Sequence, residues 1–351
     1  MADYLALKTS IENKITARES GLSLIDNLCR SYFLFHSQPT DKVCLFFHGF
    51  TAGPYQFIPM AQTLHRAGFN VLVPLLPGHG LAGEWGPSNP PPLSDDPRTY
   101  LKFGLQWLDI AKKMGSQVVI GGLSGGATLA AWLAMEKSNE IYRAILFAPY
   151  FSSSSKVIDL FVKHIDTYFE WESLLGPSYP GFEISALRAV LRIANYNFKQ
   201  VKKSSIAPTF VISSESDRAV NNYDHQRFFE AALERQPYCW YNSFDRVLDI
   251  PHTMMTEAEG NPFTNLLNVI TKAYIESSLT WTDVEEIAYR MTKRRTFNSV
   301  VAELGPAGAD PGTLYRPCTG VRRPGIAARS RWCGLRSRSR AAPRHRRSGP
   351  R

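Results

Sequence analysis

The run Val118-Val119-Ile120-Gly121-Gly122-Leu123-Ser124-Gly125-Gly126-Ala127 passes from β-prone apolar residues through Gly-x-Ser-x-Gly into an Ala-rich, helix-forming segment. A serine hydroxyl attacks a carbonyl only when it stands clear of the backbone beside a base, and a sharp strand-to-helix turn achieves the first condition. Gly122 and Gly126 flank Ser124 where a Cβ would collide with the adjoining strand or helix. At a helix N-terminus, free N–H groups and the helix dipole favour developing negative charge. The same five residues also fit a glycine-rich loop before an ordinary helix, so the rest of the chain must decide.

A nucleophilic serine needs a histidine base, an acid that orients it, and donors for an oxyanion, gathered at the C-terminal ends of parallel strands. After the apolar run 209–213, the segment Ser214-Glu215-Ser216-Asp217-Arg218 puts Asp217 on the loop at a strand's outer end. Ile250-Pro251-His252 puts His252 on a later loop of the same kind. Serine, acid, histidine is the order in which a parallel α/β sheet delivers these groups. Glu215, Asp245 and Asp249 lie close enough in sequence to remain alternatives to Asp217. His48, in a His-Gly at a strand end, reads as shaping a loop, and His79 as structural. His36, His65, His164, His225 and His345 have no comparable placement.

The elements that must carry these residues follow from periodicity. Short apolar runs at 32–35, 43–47, 69–73, 117–120, 144–147 and 208–213 alternate with helical stretches at about 55–66, 100–113 and 221–235. Continuous apolar strands alternating with helices predict an α/β fold, a mostly parallel central sheet covered on both faces. Residues 1–42 are expected to form an N-terminal helix and the first strand or strands, 43–150 the first part of the core, and 206–278 its second part. Between them the rhythm breaks. Residues 151–205 carry helical-looking segments rich in aromatics, and they read as an inserted helical cap over Ser124, with Tyr168, Phe169 and Trp171 as substrate-lining candidates. Residues 279–300 read as an amphipathic helix, with Thr282 and Glu285 as its capping box.

Charge is unevenly distributed. The chain of 351 residues has a net charge of +9, but from Val301 onward there are twelve arginines against Glu303 and Asp310, without a lysine. That leaves the first 300 residues at about −1, so contact with anionic surfaces is a property of the tail, and no nucleic acid is expected for the body. Residues 301–351, rich in Arg, Pro and Gly without periodicity, are expected to be disordered; solvated disorder, an anionic partner and an altered reading frame all fit them. No apolar run approaches the ~20 residues of a membrane span, and the first 30 residues lack the apolar stretch of a signal peptide, so a cytoplasmic location is expected. Five cysteines without Cys-x-x-Cys spacing read as reduced thiols and no structural zinc. The oligomeric state is not legible.

His48-Gly49-Phe50, Pro77-Gly78-His79-Gly80, Gly122-Leu123-Ser124-Gly125-Gly126, Asp217 with Val220, and Pro251-His252 together carry a resemblance. Over roughly residues 43–274 the chain resembles α/β-hydrolase fold serine hydrolases of the carboxylesterase and monoacylglycerol-lipase type. The resemblance implies Ser124 as nucleophile, His252 as base, Asp217 as orienting acid, and the backbone N–H groups of Phe50 and Gly125 as the oxyanion hole. It implies a small-molecule ester substrate and neither metal nor organic cofactor. Gly125 departs from the bulkier residue often found after the nucleophile, which bears on the shape of the acyl pocket. The same three groups also serve thioester, amide and carbon–carbon cleavage or acyl transfer. A non-catalytic ligand-binding relative is the alternative of another class.

Overall fold

The computed structural model describes residues 2–170 and 175–291. Along the chain lie α1 (Ala2–Ser20), β1 (Tyr32–Leu34), β2 (Lys42–Phe47), α2 (Ile58–Arg66), β3 (Asn70–Val73), α3 (Pro97–Met114), β4 (Gln117–Leu123), α4 (Gly125–Glu136) and β5 (Arg143–Phe147). They are followed by α5 (Lys156–His164), β6 (Tyr168–Glu170), β7 (Gly181–Glu183), α6 (Ile184–Gln200), β8 (Thr209–Ser214), α7 (Asn222–Leu233), β9 (Trp240–Phe244), α8 (Thr264–Glu276) and α9 (Trp281–Met291).

Seven strands form one sheet in the order β1-β3-β2-β4-β5-β8-β9. All pairs are parallel except β1 with β3. The mostly parallel sheet is the one the alternation predicts, and it is the α/β-hydrolase fold that the resemblance implies. β3, β5 and β8 are buried along their whole length, because helices cover both faces; their centres are apolar and the polar residues Asn70, Arg143, Thr209, Ser213 and Ser214 lie at their ends. The order places β3 on one side of β2 and β4 on the other, so the winding direction reverses between β2 and β4. Open α/β sheets hold their ligands at such a reversal, beyond the C-terminal ends of the strands. Here those ends are Phe47, leading to His48-Gly49-Phe50, and Leu123, leading to Ser124.

Two glycines make the turn after β4 possible. A Cβ at Gly122 would lie 2.3 Å from the Gly126 carbonyl carbon, and one at Gly126 only 2.2 Å from the Phe47 oxygen. No side chain fits at either position, so α4 can start directly against β2. Ser124, between them, has φ 54° and ψ −115°. A non-glycine residue in such a conformation is strained by roughly 1–3 kcal/mol, which the surrounding bonds must offset. Ser124 N–H donates to Phe147 O at 3.0 Å, and Ser124 O accepts from Thr128 N–H at 3.0 Å and Tyr150 N–H at 3.1 Å.

The segment between β5 and β8 is not purely helical. Besides α5 and α6 it holds the antiparallel pair β6-β7, with Phe169 opposite Phe182. Polar bonds, most of them part-buried, tie the segment down. Tyr179 OH donates to Gly78 O at 2.7 Å and accepts from Leu81 N–H at 2.9 Å, and Asn197 Nδ2 donates to Thr128 O on α4 at 2.9 Å. Arg188 binds the carbonyls of Val162 and Ile165 and pairs with Asp166.

The last helix differs from the expectation at its start. Its box is formed by Thr280 and Asp283, whose side chains exchange bonds with each other's N–H groups at 2.8 and 3.3 Å, not by Thr282 and Glu285. Both pairs have the right spacing. The box sits two residues before the expected one, and Trp281, the first residue of the helix, packs edge-on against Phe229 at 4.9 Å. Residues 292–300 of the expected helix, the whole arginine-rich tail and Trp171 lie outside the described residues. Among the described residues no helix is long and apolar enough to cross a membrane.

Candidate active site

Ser124, His252 and Asp217 reach one place from three strand ends. Ser124 follows β4; Asp217 sits on the loop after β8; His252 follows β9 and a short 3-10 turn (Arg246–Leu248). Ser214 OH donates to Ile250 O at 2.6 Å, tying the histidine's loop to the strand that carries the acid. His252 Nδ1 lies 2.7 Å from Asp217 Oδ2. The other oxygen of Asp217 accepts from Ala219 N–H at 2.8 Å and Val220 N–H at 3.2 Å. The Asp217 side chain is fully buried, while that of His252 keeps 21% of its surface exposed.

The electrostatics of the pair follow from these contacts. Burial pushes the Asp217 carboxyl up, but the His252 charge and hydrogen bond, with the two backbone donors, outweigh it and hold the group below its ordinary value. Burial pushes the His252 imidazole down, and the charge and hydrogen bond of Asp217, with a smaller contribution from Glu259, outweigh it and raise the group above 6.5. With Nδ1–H donating to a carboxylate, the proton-accepting nitrogen of neutral His252 is Nε2.

Asp245, Asp249 and the other histidines near the site occupy other places in the fold. Asp245 caps the 3-10 turn through Val247 N–H at 2.9 Å, and Asp249 ends that turn in a left-handed conformation with φ 46°. His48 is buried, accepts from Leu76 N–H through Nε2 at 3.0 Å and donates to Gly49 O through Nδ1 at 3.0 Å. His79 lies against Pro77 O at 3.0 Å, and burial lowers it to about 4. His225 bridges Ser213 OH and Pro149 O, each at 2.7 Å; burial lowers it too to about 4, so it stays neutral in that bridge.

The residues named as oxyanion donors are neighbours across the turn. A Cβ on Gly125 would stand 3.8 Å from Phe50 N, 3.3 Å from Phe50 Cβ and 3.5 Å from Val190 Cγ1. Glycine therefore lets the loop after β2 and helix α6 close in on the start of α4. Neither the Phe50 nor the Gly125 N–H meets an acceptor among the described residues.

Ser124, Gly125, Phe50 and His252 all border a cavity of about 670 Å³. Its far wall is apolar and comes from the inserted segment, through Ile158, Phe161, Val162, Phe182, Leu187 and Val190. Phe169 also lines it and packs on Phe182 at 5.7 Å. Tyr168 does not line it: alternation along β6 turns neighbouring side chains to opposite faces. Tyr55, Gln56 and Glu259 border the cavity as well, and none was legible as a site residue in the sequence. Glu259 lies 203 positions from Gln56, and nothing in Glu257-Ala258-Glu259-Gly260 marks one acid as buried.

Among the described residues no cluster of three His, Cys, Asp or Glu side chains has metal-binding geometry. Cys29, Cys44 and Cys239 are free and buried.

The sequence pattern of the Alpha/beta hydrolase family matches residues 44–252. Over 107 residues the chain is 33% identical to the thermostable monoacylglycerol lipase of Bacillus sp. (strain H-257), a match spanning 28% of this chain and 38% of that protein. One of two metagenome-derived lipolytic enzymes superposes with a TM-score of 0.58 at 17% identity, covering 71% of this chain and 98% of the other. A monoacylglycerol lipase of Paleococcus ferrophilus superposes with a TM-score of 0.55 at 14% identity, covering 70% and 98%. At such identities the structural likeness carries the fold alone.

Proposed function

The chain belongs to the alpha/beta hydrolase family, and on that footing we propose that it is a serine hydrolase of carboxylic esters bearing small to medium apolar acyl or alcohol groups. The observation that carries this reading is the 2.7 Å bond between His252 and a fully buried Asp217, on the wall of the cavity that Ser124 also borders. A receptor for apolar ligands needs the cavity but has no use for a buried acid holding an imidazole on a cavity that a strained serine also borders.

The reaction runs in two steps. His252 Nε2 takes the Ser124 proton as Oγ attacks the ester carbonyl, and the N–H groups of Phe50 and Gly125 receive the charge that develops on the carbonyl oxygen. Collapse of the tetrahedral intermediate breaks the bond to the alcohol, which leaves with the proton from His252. Water then attacks the acyl-Ser124 ester, giving its proton to His252, and the acid is released with Ser124 restored. Asp217 keeps its charge throughout, fixes the imidazole tautomer and favours the imidazolium that forms in each step. The apolar wall suits an alkyl chain: each methylene moved there from water contributes about 0.8 kcal/mol. The relative that is 33% identical over 107 residues is named a monoacylglycerol lipase, which supports an acyl chain as the occupant.

Incubation with a fluorophosphonate followed by peptide mass spectrometry tests the assignment. The adduct is expected on the peptide holding Ser124; labelling elsewhere, or none, contradicts it.

A further inference from the structure

Glu259 is an unusual residue to find beside this cavity. It is only 3% exposed, and no lysine or arginine pairs with it among the described residues. Burying a carboxyl without a cation is unfavourable unless hydrogen bonds compensate. Here they do. Oε1 accepts from Gln56 Nε2 at 2.7 Å and from Tyr55 OH at 3.3 Å, and Oε2 accepts from Thr256 OH at 2.9 Å. Burial raises the carboxyl to about 7, against the hydrogen bonds of Gln56, Thr256 and Tyr55 and the charge of His252.

The next link is Gln56, itself 1% exposed. Because its Nε2 donates to Glu259, its amide oxygen is turned the other way and accepts from Gly49 N–H at 2.8 Å. Gly49 O is held from the opposite side by Ala52 N–H at 3.2 Å and His48 Nδ1 at 3.0 Å. Gly49 is thus gripped at both its N–H and its carbonyl. In a trans peptide the carbonyl of Gly49 and the N–H of Phe50 point in opposite directions, so fixing the first aims the second. That second group is the Phe50 donor at the cavity wall.

We propose that Glu259 is a positioning residue of this site: through Gln56 it holds the Gly49 N–H and the His48–Gly49 peptide, and so sets Gly49 where its carbonyl, held by His48 and Ala52, aims the Phe50 N–H at the developing oxyanion. The inference rests on the proposed ester hydrolysis at Ser124. It assigns Glu259 no contact with substrate and no proton transfer. Preorganised donors act only where charge develops, so misaligning one weakens transition-state binding and leaves ground-state binding nearly intact.

The test uses the full chain with Glu259→Ala, Gln56→Leu, the double variant and Glu259→Gln, each normalised to the amount of serine titrated by a fluorophosphonate. Two quantities are read: kcat and KM for a medium-chain p-nitrophenyl ester, and the inhibition constant of a trifluoromethyl ketone, which forms a tetrahedral oxyanion on serine. Each single variant is expected to lose about 10- to 100-fold in kcat with KM within about twofold, and to bind the ketone more weakly by the same factor. The double variant should lose no more than the worse single one, because both break one relay. Glu259→Gln should recover most of the loss, since its amide oxygen still accepts from Gln56. A purely structural role predicts a lower melting temperature with kcat per titrated serine unchanged, and that result overturns the inference, as do additive losses in the double variant. If Glu259→Ala yields no folded protein, Gln56→Leu decides by the same criterion. A wild type whose Ser124 takes no label refutes the hydrolase reading itself, and this inference with it.

Discussion

His252 Nδ1 and Asp217 Oδ2 lie 2.7 Å apart, and the second oxygen of Asp217 is occupied by the N–H groups of Ala219 and Val220. The carboxylate therefore cannot rotate without giving up two backbone donors. This fixes the imidazole ring about its own axis and leaves Nε2 free on the cavity side. Replacement of Asp217 by Asn supplies an amide that cannot hold the same tautomer, and kcat should fall on the order of 10⁴-fold. Asp245→Asn and Asp249→Asn, on the 3-10 turn, should change it by less than about threefold. Steady-state kinetics of the three variants check this, and a severe loss at Asp245 or Asp249 with a mild one at Asp217 would move the acid.

The pH profile follows from the same pair. Attack needs neutral His252, and Asp217 holds the imidazole above 6.5 after burial has pulled it down. The acid limb of kcat/KM should accordingly have its midpoint above pH 6.5. Glu259 contributes to the raising charge, so Glu259→Gln should move that midpoint to lower pH. A midpoint unmoved by Glu259→Gln would mean the two groups do not sense each other.

Glu259 also ties stability to pH. Its folded value is about 7 against 4.5 for the free carboxyl, so between those values the native state holds a proton that the unfolded chain has lost. The stabilising contribution is complete below about pH 4.5 and is lost as pH rises to 7. Glu259→Gln removes this slope. Compared with wild type, the variant should gain on the order of 2–3 kcal/mol in going from pH 5 to pH 8. Denaturant unfolding at the two pH values measures it; an unchanged difference would show that Glu259 is ionised in the folded protein throughout.

Chain-length selectivity should come from the wall formed by α5, β7 and α6. Octanoyl esters should exceed acetyl esters in kcat/KM by on the order of tenfold or more. Phe161→Ala and Phe169→Ala should reduce that ratio, because both side chains line the cavity, whereas Tyr168→Ala should leave it close to wild type. Gly125→Met should also lower it, because any side chain there grows toward Phe50 and Val190. A ratio untouched by Phe161→Ala and Gly125→Met would place the acyl chain elsewhere.

The parallel sheet was legible in the sequence because its buried strands are nearly pure apolar runs. Ser124 was legible because steric exclusion at Gly122 and Gly126 leaves a local mark. Asp217 and His252 stood out by their places after two such strands and by the resemblance, which pointed to Asp217 over Glu215, Asp245 and Asp249; the 2.7 Å contact between Asp217 and His252 is in keeping with that reading. The β6-β7 ribbon was hidden, since three-residue strands carry too few positions to show alternation. The Glu259–Gln56–Gly49 relay left no sequence signal at all: it joins residues 203 and 7 positions apart through side-chain bonds that no local pattern encodes.

The central claim is that Ser124 is the nucleophile. Hydrolysis of a medium-chain p-nitrophenyl ester by wild type and Ser124→Ala, at matched concentrations of folded protein, tests it most directly. The account predicts a loss in kcat on the order of 10⁶-fold, down to background, with the melting temperature nearly unchanged. Ser124→Ala protein that keeps more than a small fraction of wild-type turnover would contradict it.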